Sequence, residues 1–286
     1  MMDPAAAALR DRLRWKLIAA AATPLEFDEG IVDAYLRGLV ADGVDALAVL
    51  AHTGRGPYLP PVIRDSVIRI AVGIGVPVIV GVAELAEASR AAELGADGLL
   101  VFPPTMGVVE FHDALWQAAG LPMLAFDLYT RPLSEAVLPE LLAHPGVAGL
   151  KVARLHDAVA CQAVIDATNA ADRLAITGED RMFGPSLMWG AQSALVGLAA
   201  AAVPVTARVL RAFADKDYAR FVADSALLDR FAAVAFGEPV EGYVQRMLWV
   251  AAAEGRIPHT HSHDPYGPGL PDVERERILA AARDAV

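Results

Sequence analysis

The sequence alternates short apolar runs with longer amphipathic segments, and this alternation restricts the fold more than any other feature. Eight apolar runs are each followed by a helical pattern, with short connections between them. The runs are apolar throughout rather than at every second residue, which indicates strands buried on both faces of a parallel sheet. Eight consecutive strand-helix units favour an α/β fold of the closed (β/α)8 TIM-barrel type over an open doubly wound sheet. The predicted strands cover residues 17–24, 46–51, 76–83, 99–104, 122–127, 146–153, 174–178 and 194–200.

The helical segments exceed what a barrel alone requires. Two of them, 218–234 and 240–254, follow the helix of the eighth unit. A chain of 286 residues suits one barrel-type domain with an extension. We therefore predict a barrel over residues 1–215 and a C-terminal helical appendage over residues 216–286. The predicted helices of the eight units cover residues 31–42, 61–73, 84–94, 111–119, 134–143, 156–170, 182–190 and 203–215.

Charge and cysteine content exclude several classes of partner. The formal net charge is −11 and the pI is near 5.1, whereas nucleic acids and anionic membranes bind clustered positive charge. We therefore predict no nucleic-acid partner and no membrane partner. The single cysteine, Cys161, cannot form an intramolecular disulfide and is typical of a reducing compartment. We see no secretory signal at the N-terminus and no apolar stretch of the ~20 residues that span a bilayer, so we expect a cytoplasmic protein.

One lysine lies in the middle of the sixth predicted strand. The chain uses arginine for nearly all of its 24 basic residues and contains only three lysines, Lys16, Lys151 and Lys216. Lys16 and Lys216 are expected in solvent, whereas Lys151 is embedded in the apolar run 146–153. A desolvated amine has a lowered pKa and gives a neutral nucleophile for a carbonyl group, a chemistry that arginine lacks. The alternative is a lysine whose stem packs on the sheet while its head reaches water.

Polar residues follow several of the predicted strands. In a barrel of this type the site lies at the carboxyl ends of the strands, so residues at those ends are the candidates for binding a substrate. A hydroxyl and free backbone N–H groups in the turn after strand two suit a carboxylate, and an arginine after strand five suits a second anionic group. Such turns occur in any barrel, so each feature alone is weak. The candidate substrate-binding residues are Thr53, Gly54, Phe126, Asp127 and Arg131.

Taken together, these motifs resemble the dihydrodipicolinate synthase / N-acetylneuraminate lyase family. The similarity covers nearly the whole chain, including the helical tail. It implies a homotetrameric class I aldolase or lyase in which Lys151 forms a Schiff base with pyruvate or another 2-oxo acid, without a metal or an organic cofactor. The matching motifs are Thr53-Gly54, the aromatic-Asp-x-x-x-Arg pattern from Phe126 to Arg131, Gly149-Leu-Lys151, and Gly178-Glu-Asp180 followed by Gly190.

The chain departs from the family pattern at the residues that would move protons. The family usually has Thr-Thr-Gly-Glu after strand two, where residues 52–55 are His-Thr-Gly-Arg. In an ungapped match the family's proton-relay tyrosine falls on Phe126, which cannot transfer a proton. A second family tyrosine, contributed across a subunit contact, falls near Thr105 and Met106. Both halves of the usual relay are therefore missing, although the lysine is retained.

Two residues are candidates to replace the missing relay. Tyr129 follows Phe126 by three positions and could bring its hydroxyl toward Lys151, unless it packs as an amphipathic side chain at the barrel rim. His52, at the end of strand two, could act as a general acid or base near neutral pH, unless it is a hydrogen-bonded structural histidine. We therefore predict Lys151, Tyr129 and His52 as catalytic residues.

Two other functions remain open from the sequence. One is a barrel that binds a 2-oxo acid or sugar acid without turning it over, because the relay is lost. The other is a metal-dependent barrel enzyme, for which Glu84, Asp127 and Glu179 could serve, although no spacing singles them out. The tail segment 259–264, His-Thr-His-Ser-His-Asp, also contains ligand types, but the Pro and Gly residues around it are typical of an exposed loop. Our prediction is a metal-free site, a small-molecule partner and a homo-oligomer.

Overall fold

Eight parallel strands close into a barrel in the order of the chain. The computed structural model describes residues 1–105 and 107–285, so Met106 and Val286 lie outside the described residues. Every strand residue is buried, as the continuous apolar runs predicted, and the predicted (β/α)8 barrel is confirmed. The strands are β1 (Leu17–Ala20), β2 (Ala46–Val49), β3 (Val78–Val82), β4 (Gly98–Val101), β5 (Met123–Leu128), β6 (Val147–Ala153), β7 (Leu174–Thr177) and β8 (Ser193–Val196).

Twelve α-helices surround and extend the barrel within the described residues. Eight of them, α2 to α9, each follow one strand. Local signals set several of their ends: the side chain of Asp28 accepts a hydrogen bond from Ile31 N at the start of α2, and that of Asp157 from Ala160 N at the start of α7. The helices are α1 (Pro4–Leu13), α2 (Glu29–Ala41), α3 (Pro61–Val72), α4 (Leu85–Glu93), α5 (Val108–Ala119), α6 (Leu138–Ala143), α7 (Ala158–Ala170), α8 (Phe183–Met188), α9 (Val203–Ala214), α10 (Tyr218–Ala235), α11 (Tyr243–Ala253) and α12 (Asp272–Ala285).

The core has two parts because successive strand residues point to opposite sides of the sheet. The larger part lies between the strands and the surrounding helices. The smaller part fills the barrel interior, and α1 closes its N-terminal end with Leu9 and Leu13. Full burial of one such leucine stabilises the fold by about 1.5–3 kcal/mol. The packed interior leaves the opposite end, where the strands finish, as the place for a site.

Some predicted boundaries are wrong for local reasons. The eighth strand ends at Val196, because the N–H of Leu198 donates to the buried carboxylate of Asp180 instead of continuing the ladder. Helix α6 begins at Leu138 instead of 134, since the chain turns through a bond from Val137 N to Ser134 O. Helices α1 and α12 were not predicted.

The C-terminal helices pack on the barrel and reach its open end. A 3₁₀ turn, Val240–Gly242, leads into α11 above the strand ends. Arg246 is fully buried, and its guanidinium lies 3.1 Å from the carboxylate of Glu274, which joins α11 to α12. The domain boundary between 215 and 216 falls in the turn between α9 and α10 and stays a prediction. Within the described residues, no helix combines the length and apolar character that a membrane crossing needs.

Candidate active site

Lys151 lies at the end of the barrel interior, on β6. Its strand neighbours Leu150 and Val152 belong to the outer core, so the lysine side chain points into the barrel. The residue is 5% exposed, and Phe126 is its partner on β5. Nζ lies 4.3 Å from the centroid of the Phe126 ring. The amine is therefore enclosed by apolar groups at the end of the barrel where sites are found.

Burial sets the charge state of this amine. It lowers the pKa of Lys151 to about 8, and the carboxylates of Asp180 and Glu179 oppose the shift. No carboxylate oxygen of residues 1–105 and 107–285 lies within 4.0 Å of Nζ, so the charged form lacks a direct ion pair. Burial also raises the pKa of Asp180 to about 6. About a tenth of the amine is therefore neutral at pH 7, and the neutral form is the one that acts as a nucleophile.

Gly178, at the end of β7, makes room for the lysine stem. A Cβ atom at this position would lie 2.6 Å from Cε of Lys151 and 2.9 Å from the carbonyl oxygen of Val152. That same carbonyl accepts a hydrogen bond of 2.7 Å from Gly178 N. Any side chain at 178 would displace the amine, so the glycine is required by the close approach of β6 and β7.

The turn after β2 brings two polar side chains to the cavity. Thr53 is 2% exposed, and its Oγ1 lies 3.0 Å from the hydroxyl of Tyr243. His52 Nδ1 lies 3.1 Å from the same hydroxyl. Gly54 packs behind the turn, where its carbonyl accepts a bond of 2.9 Å from Thr23 Oγ1. The backbone N–H groups of Thr53 and Gly54 bond no protein acceptor within the described residues, which leaves them free for an anion.

A second set of polar side chains surrounds Glu241 and closes the open end of the cavity. Tyr129 donates its hydroxyl hydrogen bond to the Glu241 carboxylate. Arg55 Nη1 lies 3.2 Å from Glu241 Oε2, and its Nη2 lies 2.8 Å from Asp264 Oδ2. His52 Nε2 lies 3.5 Å from Glu241 Oε2. The tail segment thus contributes Asp264 as the buried partner of Arg55 rather than as a group facing the cavity.

These residues divide the open end of the barrel into two spaces. The inner cavity around Lys151 has a volume of about 30 Å³, and Tyr129 and Tyr243 are among its walls. The outer cavity has a volume of about 450 Å³ and is lined in part by Arg55, Arg131 and Glu241. A cavity of about 30 Å³ holds only one or two water molecules, so side chains at the boundary must move to admit a substrate of six heavy atoms. A groove of about 870 Å³ between α6 and α7 lies on the outside of the barrel, away from Lys151.

Two carboxylates that were candidates from the sequence do not line the inner cavity. Asp127 is fully buried on the outer side of β5, where Arg154 and Leu133 N bond its carboxylate. The prediction that Asp127 contacts a substrate does not fit this placement, since its neighbour Phe126 is the one that faces inward. Glu179 accepts hydrogen bonds from Arg154 N and Leu155 N. Among the described residues, no three His, Cys, Asp or Glu side chains are grouped to hold a metal ion.

The other predicted site residues lie at the strand ends. Lys151, His52, Thr53, Phe126 and Tyr129 all line the inner cavity, whereas Arg131 lines the outer one. Nη1 of Arg131 donates to Pro103 O at 2.7 Å.

Sequence reasoning missed Tyr243 and Glu241. Both belong to the C-terminal helical segment, whose pattern predicts only an amphipathic helix. Burial raises the pKa of the Tyr243 hydroxyl above its ordinary value, with hydrogen bonding to Thr53 opposing. Gly197 offered an indirect signal, because a Cβ there would lie 2.9 Å from the Tyr243 ring.

Comparison with known sequences identifies one family. The profile of the dihydrodipicolinate synthetase family matches residues 15–264. The 4-hydroxy-tetrahydrodipicolinate synthase of Acidiphilium cryptum (strain JF-5) is 27% identical over 187 residues, which is 56% of this chain and 64% of that protein. A Streptomyces griseus subsp. griseus protein named "Probable 5-dehydro-4-deoxyglucarate dehydratase" is 33% identical over 144 residues, 43% of this chain and 44% of that protein. The alignments thus span less than two thirds of these relatives' own length.

Comparison with solved structures agrees on the fold. A prophage protein of the dihydrodipicolinic acid synthase family from E. coli K12, crystallised in complex with pyruvate, superimposes with a TM-score of 0.86. The match covers 94% of this chain and 98% of that chain at 18% identity. A dihydrodipicolinate synthase from Bacteroides thetaiotaomicron superimposes with a TM-score of 0.83 at 22% identity, covering 95% and 98% of the two chains. At these identities the likeness concerns the fold alone.

Proposed function

The chain belongs to the dihydrodipicolinate synthetase family, and from this membership we propose that it is an imine-forming lyase or dehydratase acting on pyruvate or another small 2-oxo acid. The observation that carries the proposal is the buried amine of Lys151 at the carboxyl ends of the strands, with its pKa lowered to about 8. The relatives support the reaction class, since they include a protein named as a synthase and one named as a dehydratase. The second substrate stays open, because loop shapes decide it.

The proposed chemistry begins with attack of the neutral Lys151 amine on the C2 carbonyl of the 2-oxo acid. Loss of one water molecule gives the imine, which is a strong electron sink when protonated. The adjacent C3–H bond is then weakened, and carbon-carbon bonds beside it can form or break. The ring of Phe126 lies beside the amine, so it would shield this intermediate from bulk water.

We assign two anionic groups of the substrates to two places in the site. The free N–H groups of Thr53 and Gly54 suit the carboxylate next to the reacting carbonyl. Arg131, at the wall of the outer cavity, suits an anionic group of a second substrate or of the incoming acid. The remaining predicted catalytic residues, His52 and Tyr129, lie on the boundary of the inner cavity, where a proton-transferring group is needed.

Borohydride trapping tests the proposal directly. The protein is incubated with pyruvate, reduced with borohydride and examined by mass spectrometry of intact protein and peptides. We expect one reduced pyruvate adduct on Lys151, which disappears in Lys151→Met. Lys216→Met is the matched control, because it removes an exposed lysine and must leave the adduct in place. Absence of an adduct with pyruvate and with a panel of 2-oxo acids would contradict the proposal.

A barrel that binds a 2-oxo acid without turnover is the second candidate function. The observation that favours it is the phenylalanine at position 126, where the family has its relay tyrosine. Calorimetric binding of pyruvate without any trapped adduct would support this second function over the first.

Assembly and location are proposals as well. We propose a homo-oligomer, a tetramer by family resemblance, in the cytoplasm. Light scattering after size-exclusion chromatography gives the mass of the assembly, and a monomer would contradict this part.

A further inference from the structure

The proposed reaction needs one group that first gives a proton and then takes one back. When water leaves the addition product of amine and carbonyl, the C2–O bond breaks with its electron pair on oxygen, which needs a proton. The C3–H bond of the iminium then breaks, and its electron pair forms the C2=C3 bond of the enamine. That proton returns to the donor group. Nothing is oxidised or reduced, and one amine plus one 2-oxo acid gives one enamine plus one water.

Most of the groups at the cavity are occupied elsewhere or have the wrong chemistry. Phe126, opposite Lys151, has no exchangeable proton. The Asp180 carboxylate accepts a bond of 2.7 Å from Leu198 N. The hydroxyl of Tyr129 is bonded to Glu241, at the boundary with the outer cavity. The hydroxyl of Tyr243 is different, because both of its bonded partners lie in the wall of the inner cavity itself.

The position of Tyr243 is fixed from several sides. The residue is 5% exposed, at the start of α11. Its ring stacks on that of Phe236 with 4.7 Å between centroids, and it lies over Gly197. Its hydroxyl lies 3.0 Å from Thr53 Oγ1 and 3.1 Å from His52 Nδ1. A hydroxyl held between two partners in this way is aimed rather than free to rotate.

The carboxylate of Glu241 lies next to His52 and determines the direction of the hydrogen bonds that His52, Tyr243 and Thr53 make. We assign the ring proton of His52 to Nε2, because this nitrogen lies 3.5 Å from the Glu241 carboxylate, which can only accept when ionised. Nδ1 is then the acceptor for the hydroxyl hydrogen of Tyr243, and the Thr53 hydroxyl donates to the tyrosine oxygen. Burial lowers the pKa of His52 to about 4, with Glu241 opposing, which keeps the ring neutral as this pattern requires. Thr53 would stabilise the phenolate after Tyr243 gives its proton away.

We propose that Tyr243 is the proton-transferring residue of the Lys151 site, taking the place of the tyrosine that position 126 lacks. It gives its proton to the departing C2 oxygen and takes one from C3, while His52 and Glu241 act through it as positioning residues. This inference rests on the proposed imine-forming function. It makes the C-terminal appendage a part of the catalytic site, and it assigns Tyr129 the role of holding Glu241.

The test compares proton transfer at C3 with the final extent of imine formation. Exchange of the methyl protons of pyruvate for deuterium, followed by NMR in D2O, measures transfer at C3, and borohydride trapping measures the imine. We expect Tyr243→Phe to lower the exchange rate by about 10²–10⁴-fold, the usual contribution of a general acid–base group. The adduct on Lys151 should form more slowly but reach the same final extent, because loss of the C2 oxygen also uses the tyrosine proton. Tyr266→Phe is the matched control, because that tyrosine lines only the outer cavity and must leave the exchange rate unchanged.

Two further variants keep the test independent of folding. Thr53→Val removes the donor to the tyrosine oxygen and is expected to slow both exchange and the approach to the adduct, with the final extent of trapping unchanged. His52→Gln keeps an acceptor for the hydroxyl but cannot orient it as the ring does, so kcat for exchange should fall while KM for pyruvate stays constant. Circular dichroism and urea unfolding establish that each variant is folded.

The outcomes distinguish this inference from the proposed function. If the unmodified protein forms no adduct with any 2-oxo acid, the proposed function fails and this inference with it. If the unmodified protein forms the adduct and exchanges the methyl protons, but folded Tyr243→Phe exchanges them equally fast, the inference is wrong and the function stands. Trapping without any exchange in the unmodified protein would also overturn the role of Tyr243.

Discussion

Substitution of Gly178 by alanine tests the geometry of the Lys151 site most sharply. The new Cβ would lie 2.6 Å from Cε of Lys151 and 2.9 Å from Val152 O, whereas ordinary contacts at a Cβ begin near 3.4 Å. The φ angle at 178 is not positive, so alanine meets no backbone strain there. Without the clash, Gly→Ala would stabilise the fold by about 0.4–1 kcal/mol. We expect overpacking to reverse that sign and to lower the free energy of unfolding by about 1–3 kcal/mol.

The same substitution should impair the reaction more than it impairs the fold. The stem of Lys151 is flexible and can retreat, which moves Nζ by the order of 1 Å. A misplacement of about 1 Å costs a reaction on the order of 10²-fold. We therefore expect the rate of adduct formation with pyruvate, followed by borohydride quench and mass spectrometry, to fall by about that factor.

A double-mutant cycle isolates the contact. Lys151→Ala removes the Cε atom, so Gly178→Ala should cost less in that background, with a coupling of about 1 kcal/mol by urea unfolding. Gly269→Ala is the matched control, since no atom lies within 4 Å of its added Cβ. Unchanged stability and trapping rate in Gly178→Ala, together with zero coupling, would refute the placement of the lysine stem against β7.

Three further predictions concern charges around the site. The rate of borohydride trapping should rise about tenfold per pH unit below pH 8 and level off above it. The reason is that the neutral form of Lys151, whose pKa is about 8, is the nucleophile. A rise that continues to pH 10 would contradict the lowered pKa. Asp180→Asn removes a charge that holds this pKa up, so the midpoint of the same profile should move to lower pH, and an upward shift would contradict the assignment. Asp127→Ala leaves Arg154 without its carboxylate partner and should lower the free energy of unfolding by about 3–5 kcal/mol in urea. A change under about 1 kcal/mol would show that the ion pair is not essential to the fold.

The barrel was predictable because its evidence is local and repeated. Each buried strand is a continuous apolar run, and the placement of Lys151 within one such run marks the amine by its neighbours alone. Helix α1 was not predicted, although Asp3 and Pro4 are typical of a helix start.

The part of the site that Glu241 and Tyr243 form could not be predicted from the sequence. The hydroxyl of Tyr243 meets Thr53 across 190 positions of sequence, and no local pattern records a contact of that range. Asp127 illustrates a different limit. Phe126 and Asp127 were both proposed to contact substrate, although adjacent strand residues point to opposite sides of a sheet. This alternation of side chains along a strand alone excludes one of the two residues from the substrate site. The structure shows that Phe126 is the one that faces inward.

Glu241 and Tyr243 lie in the C-terminal segment of the chain. They are therefore synthesised after the barrel strands, including the strand that carries Lys151. At the usual rate of about 5–20 residues per second, a ribosome exposes Lys151 several seconds before Tyr243. Once β8 is made and pairs with β1, the closed barrel holds the amine before the groups that we propose to aim and protonate its intermediates have been added.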